Sequence, residues 1–423
     1  MNNKFLPRAV LFIIAFLLSS LVPLAQVRAQ NTFYGDGAGY HTTTGTNDSA
    51  FGVEAFYYNT SGSENTAFGR RALANNIDGQ SNTANGAEAL YSNTNGNSNT
   101  ASGYQALFSN TTGHHNTASG LYGLRANTTG NYNTVSGEEA LYSNTIGNNN
   151  TASGSAALYD NMTGSQNTAS GAAALFNNTT GSYNAASGYQ ALLSNTAGGF
   201  NAANGALVLY SNITGNFNTA AGTGALFSNT TGSNNVAVGT TAGFALTTGS
   251  GNVCIGAGVN GVAGESNTTR IRNVYTTVAN GRAVYVNADN KIGTLSSSRR
   301  FKHDIQPMDR TSETLFALKP VTFRYKKDAD PSQALSFGLI AEDVARVSPE
   351  LITRDEEGKP QTVRYEAVNA MLLNEFLKEH KTIAELKSII TQQQRAIEQL
   401  ATQMQKVSAQ VQLNGTLAIA ANP

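Results

Sequence analysis

The sequence predicts a mainly β protein: a parallel β-solenoid or β-roll with a 17-residue repeat, then a small α/β domain ending in a long coiled-coil helix. Three observations carry this reading. Glycine and asparagine recur with a strict period, charge density jumps near residue 296, and a heptad pattern runs toward the carboxyl end.

The repeat spans residues 30–256. Glycine falls at every 17th position from Gly35 to Gly256, and a second glycine follows ten residues later from Gly45 to Gly249. Asn stands three residues after that second glycine from Asn65 to Asn252, with only Asp48 breaking the rule. Another Asn column runs from Asn59 to Asn229, and apolar pairs such as Ala89-Leu90 and Ala106-Leu107 precede it. Glycines at fixed spacing mark corners that need positive φ or close backbone approach. The short segment N-T-A-S alternates as a half-buried strand does. One unit cannot bury its Ala and Leu alone, whereas stacked units form a continuous narrow core. Identical Asn side chains would then stack as amide ladders, and thirteen steps at the strand spacing give a length of about 60 Å. A helical array is disfavoured because Asn, Thr, Ser and Gly are poor helix formers. Polar low-complexity chains often stay unfolded, but strict Ala-Leu and Tyr/Phe columns argue for packing. The Asn-x-Thr/Ser triplets are the repeat itself and imply nothing about glycosylation.

The chain has 423 residues, and Lys+Arg and Asp+Glu number 27 each, so it lacks the basic excess of a nucleic-acid binder. Its one cysteine, Cys254, excludes an internal disulfide framework and a cysteine zinc cage. The repeat offers no catalytic cluster. His114-His115 and Glu138-Glu139 each occur once, and surface positions explain them. The aromatic column (Tyr91, Phe108, Tyr142, Tyr159, Phe176, Tyr210, Phe227) reads as packing, with sugar binding as the alternative. No cofactor and no metal site is expected.

Lys4 and Arg8 precede an apolar run, and Val27-Arg28-Ala29 supplies small residues at −3 and −1. This is the layout of a secretory signal peptide over residues 1–29, with an uncleaved anchor as the alternative. No other run reaches the length of a membrane helix. The mature chain is therefore expected to be secreted or held at the cell surface, without a membrane span.

The N-T-A-S-G segments and Asn235-Val-Ala-Val-Gly239 resemble the units of YadA-like heads in trimeric autotransporter adhesins. That resemblance implies a left-handed parallel β-roll, three chains together, and binding to surfaces. The 17-residue unit is longer than the usual one, and no terminal membrane β-barrel segment follows the coiled coil.

The period is lost in a connector over residues 257–296, where Ala283-Val-Tyr-Val286 alternates as a strand and Asp289-Asn290 reads as a turn. Residues 31–296 hold 18 charged side chains, and residues 297–423 hold 33. In the second region Val321–Tyr325 reads as a strand, Ala341–Val347 as a short helix, and the flanks of Glu357-Gly358 as a hairpin. Five motifs then appear in order: Ser297 to Lys302 with Ile305, Leu318–Tyr325, Gly338–Val344, Pro349–Leu351 and Val363–Tyr365. Together they resemble the peptidase S74 domain, the intramolecular chaperone of phage tail spikes and endosialidases. The resemblance implies a chaperone core over residues 297–366 that trimerises the protein and cuts itself off. It assigns Ser297 as nucleophile and Lys302 as base, with cleavage between Ser296 and Ser297. A serine hydroxyl needs a base to take its proton, and a desolvated lysine is such a base. This would be single-turnover self-cleavage with no external substrate. Arg300 and Asp304 more simply orient or pair; His303 is a candidate helper or a surface residue.

Ile383, Leu386, Ile390, Gln393, Ile397, Leu400, Met404, Val407 and Val411 alternate at steps of three and four, an a/d seam for a coiled coil over residues 367–413. Residues 414–423 read as a flexible tail. The whole is expected to be an exported homotrimeric fibre, adhesin-like or tail-fibre-like, folded by its carboxyl-terminal chaperone, with a cell-surface or glycan ligand. The alternative is a polysaccharide-degrading or glycan-binding spike.

Overall fold

In the computed structural model the structure describes residues 31–273, 284–287, 291–294, 296–355 and 357–420. The signal-peptide reading at residues 1–29 lies outside the described residues. The chain divides into two units, residues 1–276 and 277–423.

The first unit is a parallel β-solenoid. Fifteen short strands, β1 (Thr32–Tyr34) to β15 (Thr269–Ile271), follow one another in chain order in a single sheet. Each pairs with the strand one repeat on, as Thr100↔Thr117 and Ala101↔Ala118 do. All these bonds lie within one chain, so a single copy completes its own coils rather than sharing them with other copies. A coil follows the last repeat glycine, where β14 (Val253–Ile255) pairs with β15 across a shorter step of 16, Val253↔Thr269.

Within a typical strand the central Ala is buried and its neighbours are exposed. The Ala-Leu pair lies in the following turn and completes the core, a column of Ala and Leu from Ala50 to Cys254. The leucines sit at positive φ, 50° at Leu90 and 53° at Leu107, as do residues two before them, such as Glu88 at 59°. Left-handed backbone costs an L-residue about 1–2 kcal/mol. It is held here because it sends alternate N–H groups to opposite neighbours: Glu88 N–H donates to Arg70 O at 2.9 Å and Leu90 N–H to Ala106 O at 3.0 Å.

Both asparagine ladders form. In one, Asn93 Nδ2 donates to Asn76 Oδ1 at 2.7 Å and to Gly96 O at 2.9 Å. In the other, Asn99 Nδ2 donates to Asn82 Oδ1 at 3.2 Å and to Gly113 O at 2.8 Å, while Asn99 N–H also donates to Asn82 Oδ1. In both glycine columns a Cβ would strike the next coil, and the first column adds a positive φ. Gly86 needs φ 143°. Gly130 is excluded from carrying a Cβ by contact, since that atom would lie 2.4 Å from Asn127 Oδ1 and 2.5 Å from Gly147 O.

The core is closed at its ends by exchanges between columns. At the amino end the leucine position is Gly39, and Phe33 from the alanine column fills its space, 6.4 Å from Phe56. Toward the other end the leucine position is Gly243, and Leu246, standing where the ladder would place Asn, reaches into that space. Asn229 Oδ1 is thereby left without a donor. Beyond Cys254 the inward position is Arg270, which pairs with Glu265 at 2.5 Å.

In the second unit β16 (Tyr285–Val286) pairs antiparallel with β17 (Ile292–Gly293); residues 288–290, read as a turn, lie outside the described residues. β18 (Val321–Phe323) pairs with β19 (Ser336–Gly338), and β20 (Ile352–Arg354) with β21 (Pro360–Val363), all antiparallel. Helix α1 (Ala341–Val347) and the long helix α2 (Tyr365–Ala420) complete it. Pro349–Leu351, read as part of a hairpin strand, is a 3₁₀ turn. Helix α2 runs on past Gly415.

Two outcomes follow. Gly130→Ala should lower stability by about 1–3 kcal/mol through overpacking of the ladder. Gly123→Ala should be neutral or mildly stabilising, because its Cβ would meet Val135 Cγ1 at an ordinary 3.4 Å. Thermal melting of the two variants checks the contrast. The second concerns Asp48, which is fully buried, accepts from Asn65 at 2.9 Å, and leaves Oδ2 without a partner. The equivalent ladder amide, Asn65 Nδ2, donates to Gly79 O. Burial raises the Asp48 carboxyl to about 6 against the lowering effect of Asn65. Because this folded value lies above the unfolded one, the stabilisation is full below about pH 4 and is lost as pH rises through about 6. Asp48→Asn should therefore melt above wild type at pH 8, with the difference closing at pH 4.

Candidate functional site

The segment that holds the sequence-assigned dyad leads into the carboxyl-terminal domain. Ser296, Ser297 and Ser298 precede a 3₁₀ turn over Arg299–Phe301, and Lys302 follows it in extended conformation. Just before the turn, Ser298 N–H donates to Ser296 Oγ at 3.3 Å. Ser297 and Lys302 are both exposed, and no hydrogen bond joins them. The two residues expected to serve as nucleophile and base are thus near in sequence but not hydrogen-bonded to each other, and the lysine is open to water. His303 Nδ1 lies 2.6 Å from Asp304 Oδ2, both almost fully exposed, and Arg300 sits over the Phe301 ring at 4.7 Å. Asp304 has φ 50°.

The domain behind this segment is organised by the other motifs. Val344, Leu351, Ile352, Val363, Val368 and Met371 form a small core. Tyr365, first residue of α2, accepts from Leu339 N–H at 2.9 Å through its hydroxyl. A Cβ at Gly338 would lie 2.7 Å from that hydroxyl, which explains glycine there. Asp343 pairs with Arg346 on α1. A cleft of about 240 Å³ opens beside α1 between Leu318, Leu339, Ile340 and Val347.

One polar cluster escaped the sequence reading. Ser312, fully buried, donates to Glu375 Oε1 and accepts from Asn374 Nδ2 at 2.6 Å; Asn374 also donates to Asp309 O at 3.0 Å. Lys378 Nζ donates to Glu375 Oε1 at 2.7 Å, and this bond, then that from Ser312, holds the Glu375 carboxyl below its ordinary value. The cluster ties the 309–317 segment to α2. No local spacing announces it, because it joins two segments that lie 62 or more residues apart.

The coiled-coil seam on α2 is bare in one chain. Ile383, Leu386, Ile390, Ile397, Leu400, Met404, Val407 and Val411 are all half or more exposed, Ile390 at 58%. Leu372 and Phe376 extend the apolar surface upstream, at 53% and 63%. Among the described residues no helix is long and apolar enough to cross a membrane.

The aromatic column of the solenoid proves to be a packing stack. Tyr142 and Tyr159 lie 5.1 Å apart, and Tyr159 and Phe176 5.0 Å, with rings within 5° of parallel. Arg125 fills the step between Phe108 and Tyr142, its guanidinium 5.3 and 5.6 Å from their centres. Such stacking occupies the ring faces that a sugar would need. His114 Nδ1 accepts from Asn97 N–H on the neighbouring coil at 3.0 Å, and His115 stacks on Tyr132.

No curated protein and no solved structure matches the chain. The family comparison matches residues 297–353 to Peptidase S74, chaperone of endosialidase. The match begins at Ser297 and takes in Lys302, the 3₁₀ turn between them, α1 and the cleft beside it. After a β-solenoid, then, the chain carries a chaperone-of-endosialidase domain of the Peptidase S74 family.

Proposed function

We propose that this protein is an exported trimeric fibre whose carboxyl-terminal domain assembles three copies and then cuts itself off before Ser297. The observation that carries the proposal is the S74 domain that follows a self-complete solenoid and its connector and precedes a bare heptad seam. Burying an apolar seam over four heptads is strongly favourable, and the chaperone likeness selects three strands. Each copy registers its own coils through its covalent chain. Copies lying side by side, however, present nearly the same surface at every coil, so their lateral register is degenerate. A clamp at one end removes that degeneracy.

Self-cleavage fits the same scheme. Ser297 would attack the Ser296 carbonyl carbon as Lys302 takes the hydroxyl proton. The amine of Ser297 leaves with a proton, and water then hydrolyses the ester between the Ser296 carbonyl and the Ser297 oxygen. Lys302 must lose its water to serve as a base at neutral pH. In one copy it is exposed, so we assign its desolvation to assembly, which would delay cutting until the trimer exists. Loss of the clamp would then make the assembled fibre hard to unfold. The likeness to adhesin heads rests on the repeat motif and supports a surface-binding role.

A glycan-binding spike is the second reading. It is favoured by a cleft of about 360 Å³ near the amino end, lined by His41, Tyr58, Asn75, Ile77 and Thr94.

Intact mass of purified wild type, Ser297→Ala and Lys302→Ala tests the cleavage. Wild type should split between Ser296 and Ser297, with both variants whole; an uncut wild type that is still trimeric removes the peptidase role and leaves a permanent clamp. Placing charge in the seam, as Ile390→Asp with Ile397→Asp, in Ser297→Ala protein should abolish the trimer in sedimentation. An unchanged trimer would mean that α2 does not join the copies.

A further inference from the structure

The strand face of the solenoid presents two side-chain columns to solvent. In β4 (Thr83–Asn85), β5 (Thr100–Ser102), β6 (Thr117–Ser119), β7 (Thr134–Ser136), β8 (Thr151–Ser153) and β9 (Thr168–Ser170) the outer residues face outward and the central one faces the core. A column of threonines thus runs beside a column of serines headed by Asn85. Neither column contains a charge. Each step keeps the same register. Adjacent coils barely rotate, as the rings of Tyr142, Tyr159 and Phe176 show by lying about 5 Å apart and within 5° of parallel. Along a strand the two hydroxyls stand about 6.6–6.8 Å apart.

A second observation separates these hydroxyls from the others. Thr94, Thr111, Thr128 and Thr145, in a different column, each donate their hydroxyl to a carbonyl of the next coil at 3.0 Å. Among the described residues the hydroxyls of the strand columns make no hydrogen bond within the chain. They are left for solvent, on a backbone fixed by coil-to-coil bonds and, for threonine, on a side chain stiff at χ1.

We propose that this face binds ice. A protein or glycan partner would be read by charge, by relief or by open aromatic faces, and the array has none of these. It offers a neutral array of hydroxyls and methyls, two columns wide and repeated at every coil. Its complement is a lattice of oxygen atoms, and the coil repeat is close to the axial repeat of hexagonal ice. Each contact is weak, but the array is ordered before binding, so the contacts add with little further entropy cost. The inference rests on the solenoid face alone and is independent of chaperone and cleavage.

The test uses the purified full chain, by partition into a slowly growing ice front and by thermal hysteresis. Thr117→Tyr with Thr134→Tyr would break the array. Asn149→Tyr is the control, in an exposed column that already holds Tyr132 and Tyr183. Wild type and control should be enriched in ice and hold the growth point down. The array variant should lose both properties with an unchanged melting curve. Exclusion of wild type from the ice, or equal loss in the control, overturns the proposal. So does a change of oligomeric state in the array variant, which would give the face to a neighbouring copy, or array-dependent binding to crystalline cellulose without binding to ice.

Discussion

The solenoid depends on burying polar amides without leaving them unpaired. A buried, unpaired amide costs about as much as several well-made hydrogen bonds contribute. Two asparagines per coil therefore work only if every coil repeats them in the same place. Asn93 takes its acceptor from the coil before and a glycine carbonyl from its own; Asn99 reaches the coils on both sides. The ladder then dictates the rest. Its neighbours must be glycine because a Cβ would strike an amide. The turn that delivers each asparagine holds leucine at positive φ, a conformation that is uphill alone and is retained because neighbouring coils bond to it.

Much of this was legible in the sequence. The period, the inward Ala, the Ala-Leu pair and both Asn columns could be read because each is an identity repeated at fixed spacing. What could not be read arises from compensation. Gly39 and Gly243 stand in the leucine column, and only packing shows that Phe33 and Leu246 occupy the space they leave. Arg270 breaks the column of small residues, and its partner Glu265 is needed to see it as an end piece. Left-handed leucine has no residue signature at all. In the carboxyl-terminal domain the motif order was legible, and so was the heptad seam. The Ser312 cluster was not, because contacts between distant segments carry no period.

The two units solve opposite problems. The solenoid is satisfied within one chain and has a largely polar exterior. The carboxyl-terminal unit has a small core and long exposed apolar surfaces on α2. A chain built this way carries a continuous exposed apolar seam on α2. Ser297 and Lys302 lie in an exposed segment that short-range turn bonds hold, such as Lys302 N–H to Arg299 O at 3.0 Å.

The exchanges at the ends of the core also make the ends unlike the middle. The terminal coils have their own side chains, with Phe33 at one end and the Arg270–Glu265 pair at the other, whereas the interior coils are interchangeable. Length is consequently a separable property. Whole coils are the natural unit of gain or loss when repeated DNA recombines, and such a change leaves both caps and the carboxyl-terminal domain intact. The number of coils then acts as a ruler that evolution can reset without redesigning the fold.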